Sequence, residues 1–385
     1  MKLHNTDKKI LLLYDFLAVR GGAERVLLTL YQALDAHVCV GFVSRDSFGD
    51  EISARDLIDL KAQSRFGPVK IARVLGAFSR VGKNRKTAGS YTTRIYAGSY
   101  SVLAFSRDHP GQSIYYCHTP PRFMYDLREM YMGQLPFWQR PLVAGLRRWL
   151  LPRYEAAVKG MDCVVANSEN VRRRLKRYVG VDARVIHPPV DTRMFRWLGQ
   201  KDYFLSTARL EPLKRVDRIV LAFLDMPDQH LVVASGGSDE ELLRTMAGDA
   251  PNIRFTGWQR DIELATLTGN ARATIYLPLD EDFGMSPVES MAAGKPVIGV
   301  AEGGILETVV DGKTGVLLHP DFTIEDIRDA VKEMTASRAL SMRPACEARA
   351  SMFTRERFLD SMEKLILRLG CKVSDRPDSC FQGRE

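Results

Sequence analysis

The chain has 385 residues, too many for one ordinary core and about right for two. Its 45% hydrophobic and 26% charged residues exclude a disordered chain, and no apolar run reaches the roughly 20 residues that span a bilayer. The net charge of +8 is uneven: residues 61–100 carry nine basic side chains (Lys61, Arg65, Lys70, Arg73, Arg80, Lys83, Arg85, Lys86, Arg94) and no acidic one. Such a stretch attracts nucleic acid, phosphorylated ligands or an acidic lipid surface, or is a solvated face, and charge alone does not choose among these.

The start, MKLHNTDKKILLLYDFL, has the outline of a signal sequence. Asp15 closes its apolar part early, and Gly21-Gly22-Ala23-Glu24 follows where a small-residue cleavage site belongs. It reads as a first buried strand, which predicts a cytoplasmic chain. Gly21-Gly22 then separates that strand from a helix over 23–34; it is not a G-x-G-x-x-G dinucleotide fingerprint. Short β-rich runs fall at 10–14, 38–43, 102–106, 114–118, 163–167 and 184–187, then at 203–207, 231–235, 253–257, 274–278, 296–300 and 315–318. Apolar strands separated by helices predict parallel sheets covered on both faces, here two sets of six. Among the six cysteines, those within apolar runs read as small hydrophobes; without a CxxC pair they indicate neither a disulfide framework nor zinc.

Within the first set, residues 115–126 (YYCHTPPRFMYD) follow a strand, which puts His118 at a strand end. Residues 137–154 (FWQRPLVAGLRRWLLPRY) mix aromatics with Arg140, Arg147, Arg148 and Arg153 and hold no acid. That composition suits a helix in a membrane interface, or equally an amphipathic helix covering the sheet. The chain divides at Ile186-His187-Pro188-Pro189-Val190-Asp191, where two prolines stiffen a patternless connection. This gives domains at 1–187 and 188–353, followed by a final amphipathic helix over 354–369, expected to pack back on the first domain, and a polar tail.

The second set carries the chemistry. In YFLSTARLEPLKR, Arg209 and Lys214 follow a strand, and two cations there suit a departing diphosphate, although lone cations are more often surface residues. In LPLDEDFGMSPVESMAAGKPVIGV a strand leads through Glu281 and Gly284 to a helix, with Ser286-Pro287-Val288-Glu289 spaced as N-cap, first position and capping-box return. The free amides and dipole of such a helix start form an anion site. Glu289 could be only a cap and Glu281 only a loop carboxylate; the pair, seven residues apart across a glycine, is harder to dismiss. Ser238 and Glu241, after Gly236-Gly237, read as another capping box.

Glu281 and Glu289 resemble the E-x7-E motif of retaining glycosyltransferases, in particular glycosyltransferase family 4, and residues 208–215 resemble that family's G-R-L-x-x-x-K stretch with Ala208 for glycine. Gly303-Gly304, Glu307 and residues 311–315 are similar to its closing glycine-rich segment. The resemblance implies an α/β GT-B fold, two Rossmann-like doubly wound domains facing across a cleft. It implies that Glu289 binds the nucleotide ribose, that Glu281 contacts the donor sugar, and that the backbone of Phe283, Gly284, Met285 and Ser286 holds sugar and phosphate. Arg209 and Lys214 then bind the diphosphate, Gly257 and Trp258 line the base pocket, Gly22 approaches the donor phosphate and His118 touches the transferred sugar. The longer run H-T-P-P-R-F-x-Y-D resembles bacterial mannosyltransferases of surface-polysaccharide and O-antigen assembly, implying GDP-mannose as co-substrate and a lipid-linked glycan as acceptor.

Asp280-Glu281-Asp282 is the nearest cluster to a D-x-D metal site and is already used by the Glu281 motif, so the expectation is metal-independent transfer with retention and no cofactor. No nucleic-acid partner is expected, and the basic and aromatic stretches predict peripheral contact with the anionic inner face of the cell membrane. The alternatives are a GT-B enzyme using a UDP-sugar, as a hexosyltransferase or epimerase, or a non-catalytic protein that binds sugar or nucleic acid.

Overall fold

The computed structural model describes residues 9–44, 47–64, 67–84 and 88–374; Arg65, Arg85, Lys86 and the tail from 375 lie outside them. The chain forms two compact units, one of residues up to Ile186 together with those from Leu359 onward, the other His187–Phe358.

In the first unit, β1 (Ile10–Tyr14), β2 (Ala36–Val40), β3 (Leu57–Asp59), β4 (Thr93–Tyr96), β5 (Gln112–Cys117), β6 (Cys163–Ala166) and β7 (Arg184–Val185) form one sheet in the order β3-β2-β1-β4-β5-β6-β7. Every pairing is parallel. The second unit repeats the plan with β8 (Phe204–Ser206), β9 (Leu231–Val233), β10 (Ile253–Phe255), β11 (Ala273–Ile275), β12 (Val297–Val300) and β13 (Gly315–Leu318), in the order β10-β9-β8-β11-β12-β13. Both orders reverse direction once, between β1 and β4 and between β8 and β11, and ligands of doubly wound sheets bind beyond the strand ends at such points. The strands are buried almost throughout, with Leu11, Leu12, Leu13, Tyr115 and Tyr116 in one sheet and Phe204, Leu205, Ile275 and Ile298 in the other.

Three details depart from the sequence reading. The apolar run at 102–106 is a 3-10 turn, Ser101–Ala104. The amides of Ser99, Tyr100 and Ser101 donate to the Asp15 carboxylate at 2.7–2.8 Å, so they cannot join a ladder. The strand beside β1 is instead β4, and a short edge strand, β3, extends the sheet to seven. In the basic stretch, the helix Gly67–Lys83 turns Val74, Leu75, Phe78 and Val81 inward and leaves Arg73, Arg80 and Lys83 exposed. Arg94 is no part of that face: it is 2% exposed and donates to the carbonyls of Tyr91 (2.7 Å), Ala88 (3.3 Å) and His109 (3.4 Å).

The C-terminal helix, Arg355–Ser374, buries Phe358, Met362 and Leu365. Among the described residues no helix is long and apolar enough to cross a membrane.

Candidate active site

At the switch point of the second sheet, the loops after β8 and β11 meet. Lys214 Nζ lies 2.6 Å from Glu281 Oε2 and 3.4 Å from the Tyr276 hydroxyl. Both members of the ion pair are largely shielded, with side chains 15% and 17% exposed. Burial works against the Lys214 charge, but Tyr276 and Glu281 outweigh it and hold the ammonium above its ordinary value. Burial, reinforced by Glu281, pushes the Tyr276 phenol up in turn, so it stays protonated at neutral pH. The backbone joins the same loops: the Leu279 amide donates to the Leu213 carbonyl at 2.7 Å. Arg215, in the left-handed region at φ 51°, ties them from behind. Its guanidinium donates to the carbonyls of Leu277 (2.6 Å) and Pro278 (2.7 Å) and pairs with Glu302.

Arg209 stands at the rim, half-exposed and paired with Glu211 at 3.0 Å. Its loop packs on the glycine-rich turn: the Leu210 amide donates to the Gly236 carbonyl at 3.0 Å, and a side chain at Gly237 would collide with the Leu210 carbonyl. Gly236 is in turn covered by the Trp258 indole, which a Cβ there would strike. Trp258 is 64% exposed beside Gly257, whose φ of 68° suits glycine. The turn that carries Arg209, the glycine-rich turn and Trp258 thus pack in series.

The acidic loop has a built floor. Gly303 and Gly304 lie directly beneath it: the Gly304 amide donates to the Glu281 carbonyl at 2.8 Å, and a Cβ on Gly303 would come within 2.5 Å of that oxygen. The Phe283 ring is buried against His187 and Phe353, with centroids 5.3 and 5.4 Å apart, so only its backbone can face a ligand.

The predicted caps are wrong. The N-cap of the helix Met285–Ala292 is Gly284, left-handed at φ 88°, and no side chain caps it. Ser286 lies inside the first turn, where its carbonyl accepts from the Ser290 hydroxyl at 2.9 Å. Glu289 is one turn further on, 7% exposed, and does not close a capping box. The left-handed glycine sets the helix start earlier than the Ser-Pro spacing suggests. Ser238 and Glu241 likewise form no box: Asp239 is the N-cap of Glu240–Ala247, and the Ser238 hydroxyl donates to it at 3.0 Å.

The first unit presents its own strand-end cluster. His118 follows β5, its ring edge-on to Tyr116 and Tyr14 at 5.1 and 6.4 Å. Its Nε2 is buried without a hydrogen-bond partner, and burial pushes its pKa down to about 4, so the ring is neutral. The Tyr14 hydroxyl donates to Glu24 at 3.1 Å, and Glu24 is 6% exposed in the first turn of the helix Gly22–Leu34. Gly22 is exposed at that helix start. Burial pushes Asp15 up to about 6 despite its three amide donors. In the H-T-P-P-R-F-x-Y-D run, Arg122 and Asp126 pair with each other at 2.7 Å. Tyr276, Asp15 and Glu24 went unassigned in the sequence; the only signal for them was position, at a strand end or in the first turn after one.

Residues 20–194 match the model of Glycosyltransferase Family 4, and residues 192–351 that of Glycosyl transferases group 1. The chain is 29% identical to the D-inositol 3-phosphate glycosyltransferase of Mycolicibacterium paratuberculosis over 54% of its own length and 53% of that protein's. It is 52% identical to the alpha-1,3/1,6-mannosyltransferase ALG2 of Dictyostelium discoideum over 61% of its length and 64% of that protein's. It therefore spans between half and two thirds of these relatives. Among solved structures, HepE of Anabaena in complex with UDP and glucose superposes with a TM-score of 0.73 at 17% identity, covering 94% of this chain and 99% of that one. The fold is that of the GT-B glycosyltransferases, and the two halves of the chain match, in turn, the models of Glycosyltransferase Family 4 and of Glycosyl transferases group 1.

Proposed function

We propose that the chain transfers mannose from GDP-mannose, with retention and without a metal ion, to a lipid-linked glycan in surface-polysaccharide assembly at the inner face of the cell membrane. The observation that carries the transferase reading is the Lys214–Glu281 pair, backed by Tyr276, at the switch point of the second sheet. When the C1–O bond of a nucleotide sugar breaks, its electron pair goes to the diphosphate. Lys214, Arg209 and the amides at the start of Met285–Ala292 supply positive potential for that charge. The acceptor oxygen then bonds C1 on the face the diphosphate leaves, and its proton passes to a diphosphate oxygen. Glu281 holds a sugar hydroxyl and Glu289 the ribose; in the first unit His118, neutral and with an unmet Nε2, offers a hydrogen bond to a sugar hydroxyl.

Mannose is supported by the similarity to ALG2 and by the run at 118–126. The competing donor is a UDP-hexose, favoured by the HepE complex with UDP and glucose. Thermal shift against GDP-mannose, UDP-glucose, UDP-GlcNAc and GDP-fucose separates them. The largest shift belongs to GDP-mannose; a larger one with a UDP-sugar overturns the donor assignment, and none with any of the four overturns the transferase reading.

A further inference from the structure

The residues that follow the His118 run project a face that none of the described residues covers. The turn Phe137–Gln139 leaves Phe137 and Trp138 80% and 65% exposed. The helix Arg140–Gly160 that continues from it buries only Leu150, Tyr154, Ala157 and Val158, all in its second half. Its first four turns expose Pro141, Leu142, Gly145, Arg148, Trp149, Pro152 and Arg153, a strip at helical spacing. The sequence left two readings for this segment, a cover for the sheet or an interface helix, and the burial splits them: Leu146, Leu150, Tyr154, Ala157 and Val158 pack on the body, while the strip on the other side does not.

We infer that this strip, from Phe137 to Arg153, docks on an anionic lipid bilayer. A single exposed apolar side chain is ordinary, but two tryptophans, a phenylalanine and a leucine on one surface are not. Their companions are all cationic. Arg140, Arg148 and Arg153 share the exposed surface, and residues 137–154 hold no acid. The Arg153 guanidinium stacks 4.4 Å over the Trp149 ring, which gives its charge an aromatic base at the boundary where headgroups meet acyl chains. Tryptophan and arginine together suit that boundary, the ring in the interface and the charge among phosphates. The face lies in the unit that carries His118. The occupant therefore deepens the reading of a lipid-linked acceptor, and the residues that argue for it are separate from the donor site.

The test is flotation of the full chain with phosphatidylcholine vesicles, with and without phosphatidylglycerol, at low and high salt. The wild type floats only with phosphatidylglycerol and is released by salt. Trp138→Ser with Leu142→Ser abolishes flotation, and Arg148→Gln with Arg153→Gln lowers partitioning by about fivefold per arginine. All of these residues are exposed, so GDP-mannose should shift the melting of each variant as it does that of the wild type. Flotation of the variants equal to wild type overturns the inference, and so does failure of the wild type to float. Salt-insensitive dimerisation abolished by the same substitutions also overturns it, assigning the face to a second copy of the chain. Flotation without any nucleotide-sugar response overturns the transferase reading and leaves the surface standing.

Discussion

Lys214 and Glu281, 67 residues apart in sequence, meet at 2.6 Å where β8 and β11 end, with the Tyr276 hydroxyl against the same ammonium. Neither charge is dispensable to the other. Glu281→Gln keeps the side-chain shape but removes the anion that offsets Lys214's burial. The expected result is a fall in turnover of about 10²–10³-fold with a loss of roughly 1–3 kcal/mol in stability. Initial rates and urea melts check it, and near-normal turnover would return the pair to a structural role.

Glu289→Gln is a cleaner probe than the sequence suggested, because Glu289 is no cap. Glutamine keeps the side-chain volume and an acceptor oxygen, so stability should fall by no more than about 1–2 kcal/mol. Loss of a charge-assisted bond to a ribose hydroxyl should weaken nucleotide-sugar binding about 10- to 100-fold. Calorimetric titration with the donor reads this, and an unchanged Kd removes Glu289 from the site.

Gly304→Ala tests the floor of the acidic loop. Its Cβ would press on the Asp282 carbonyl and on the Phe283 Cα, which lies 2.5 Å away. These are backbone atoms that cannot swing aside. The loop bearing Glu281 must shift, at a cost of about 1–3 kcal/mol. Turnover should fall with little change in the spectrum of the folded chain. A variant with wild-type turnover would show that the loop tolerates displacement.

The sheets were legible in the sequence because strands buried on both faces are unbroken apolar runs, as at 10–14 and 231–233. The same rule misread 102–106. That run is just as apolar, and what turns the chain into it is Asp15, more than 80 residues earlier, whose carboxylate takes the amides of Ser99, Tyr100 and Ser101 just ahead of it. The three-residue edge strand Leu57–Asp59 is too short to stand out. Arg209, Lys214, Glu281 and Glu289 were visible as types at strand ends. Tyr276 was not, because its role depends on Lys214, 62 residues away. Ser286 was misassigned because Ser-Pro spacing carries no trace of the left-handed φ at Gly284.

His118 gives a pH prediction with a definite sign. Its folded pKa of about 4 lies below the ordinary 6.5, so between those values the unfolded chain binds the proton and the folded chain does not. Stability from this group is therefore complete above pH 6.5 and is lost as pH falls towards 4, by on the order of 3 kcal/mol. Asp15, held up near 6 from an ordinary 3.8 by burial, acts oppositely: the folded chain binds its proton first, so this group's contribution rises as pH falls from 6. The two slopes offset each other between pH 4 and 6, and the wild-type profile alone hides both. The difference between wild type and His118→Gln isolates one of them. It should grow by about 3 kcal/mol from pH 4 to pH 7 in urea melts. A difference independent of pH would mean that His118 protonates as readily folded as unfolded, and its Nε2 would then not be the neutral, unmet group proposed to meet the sugar.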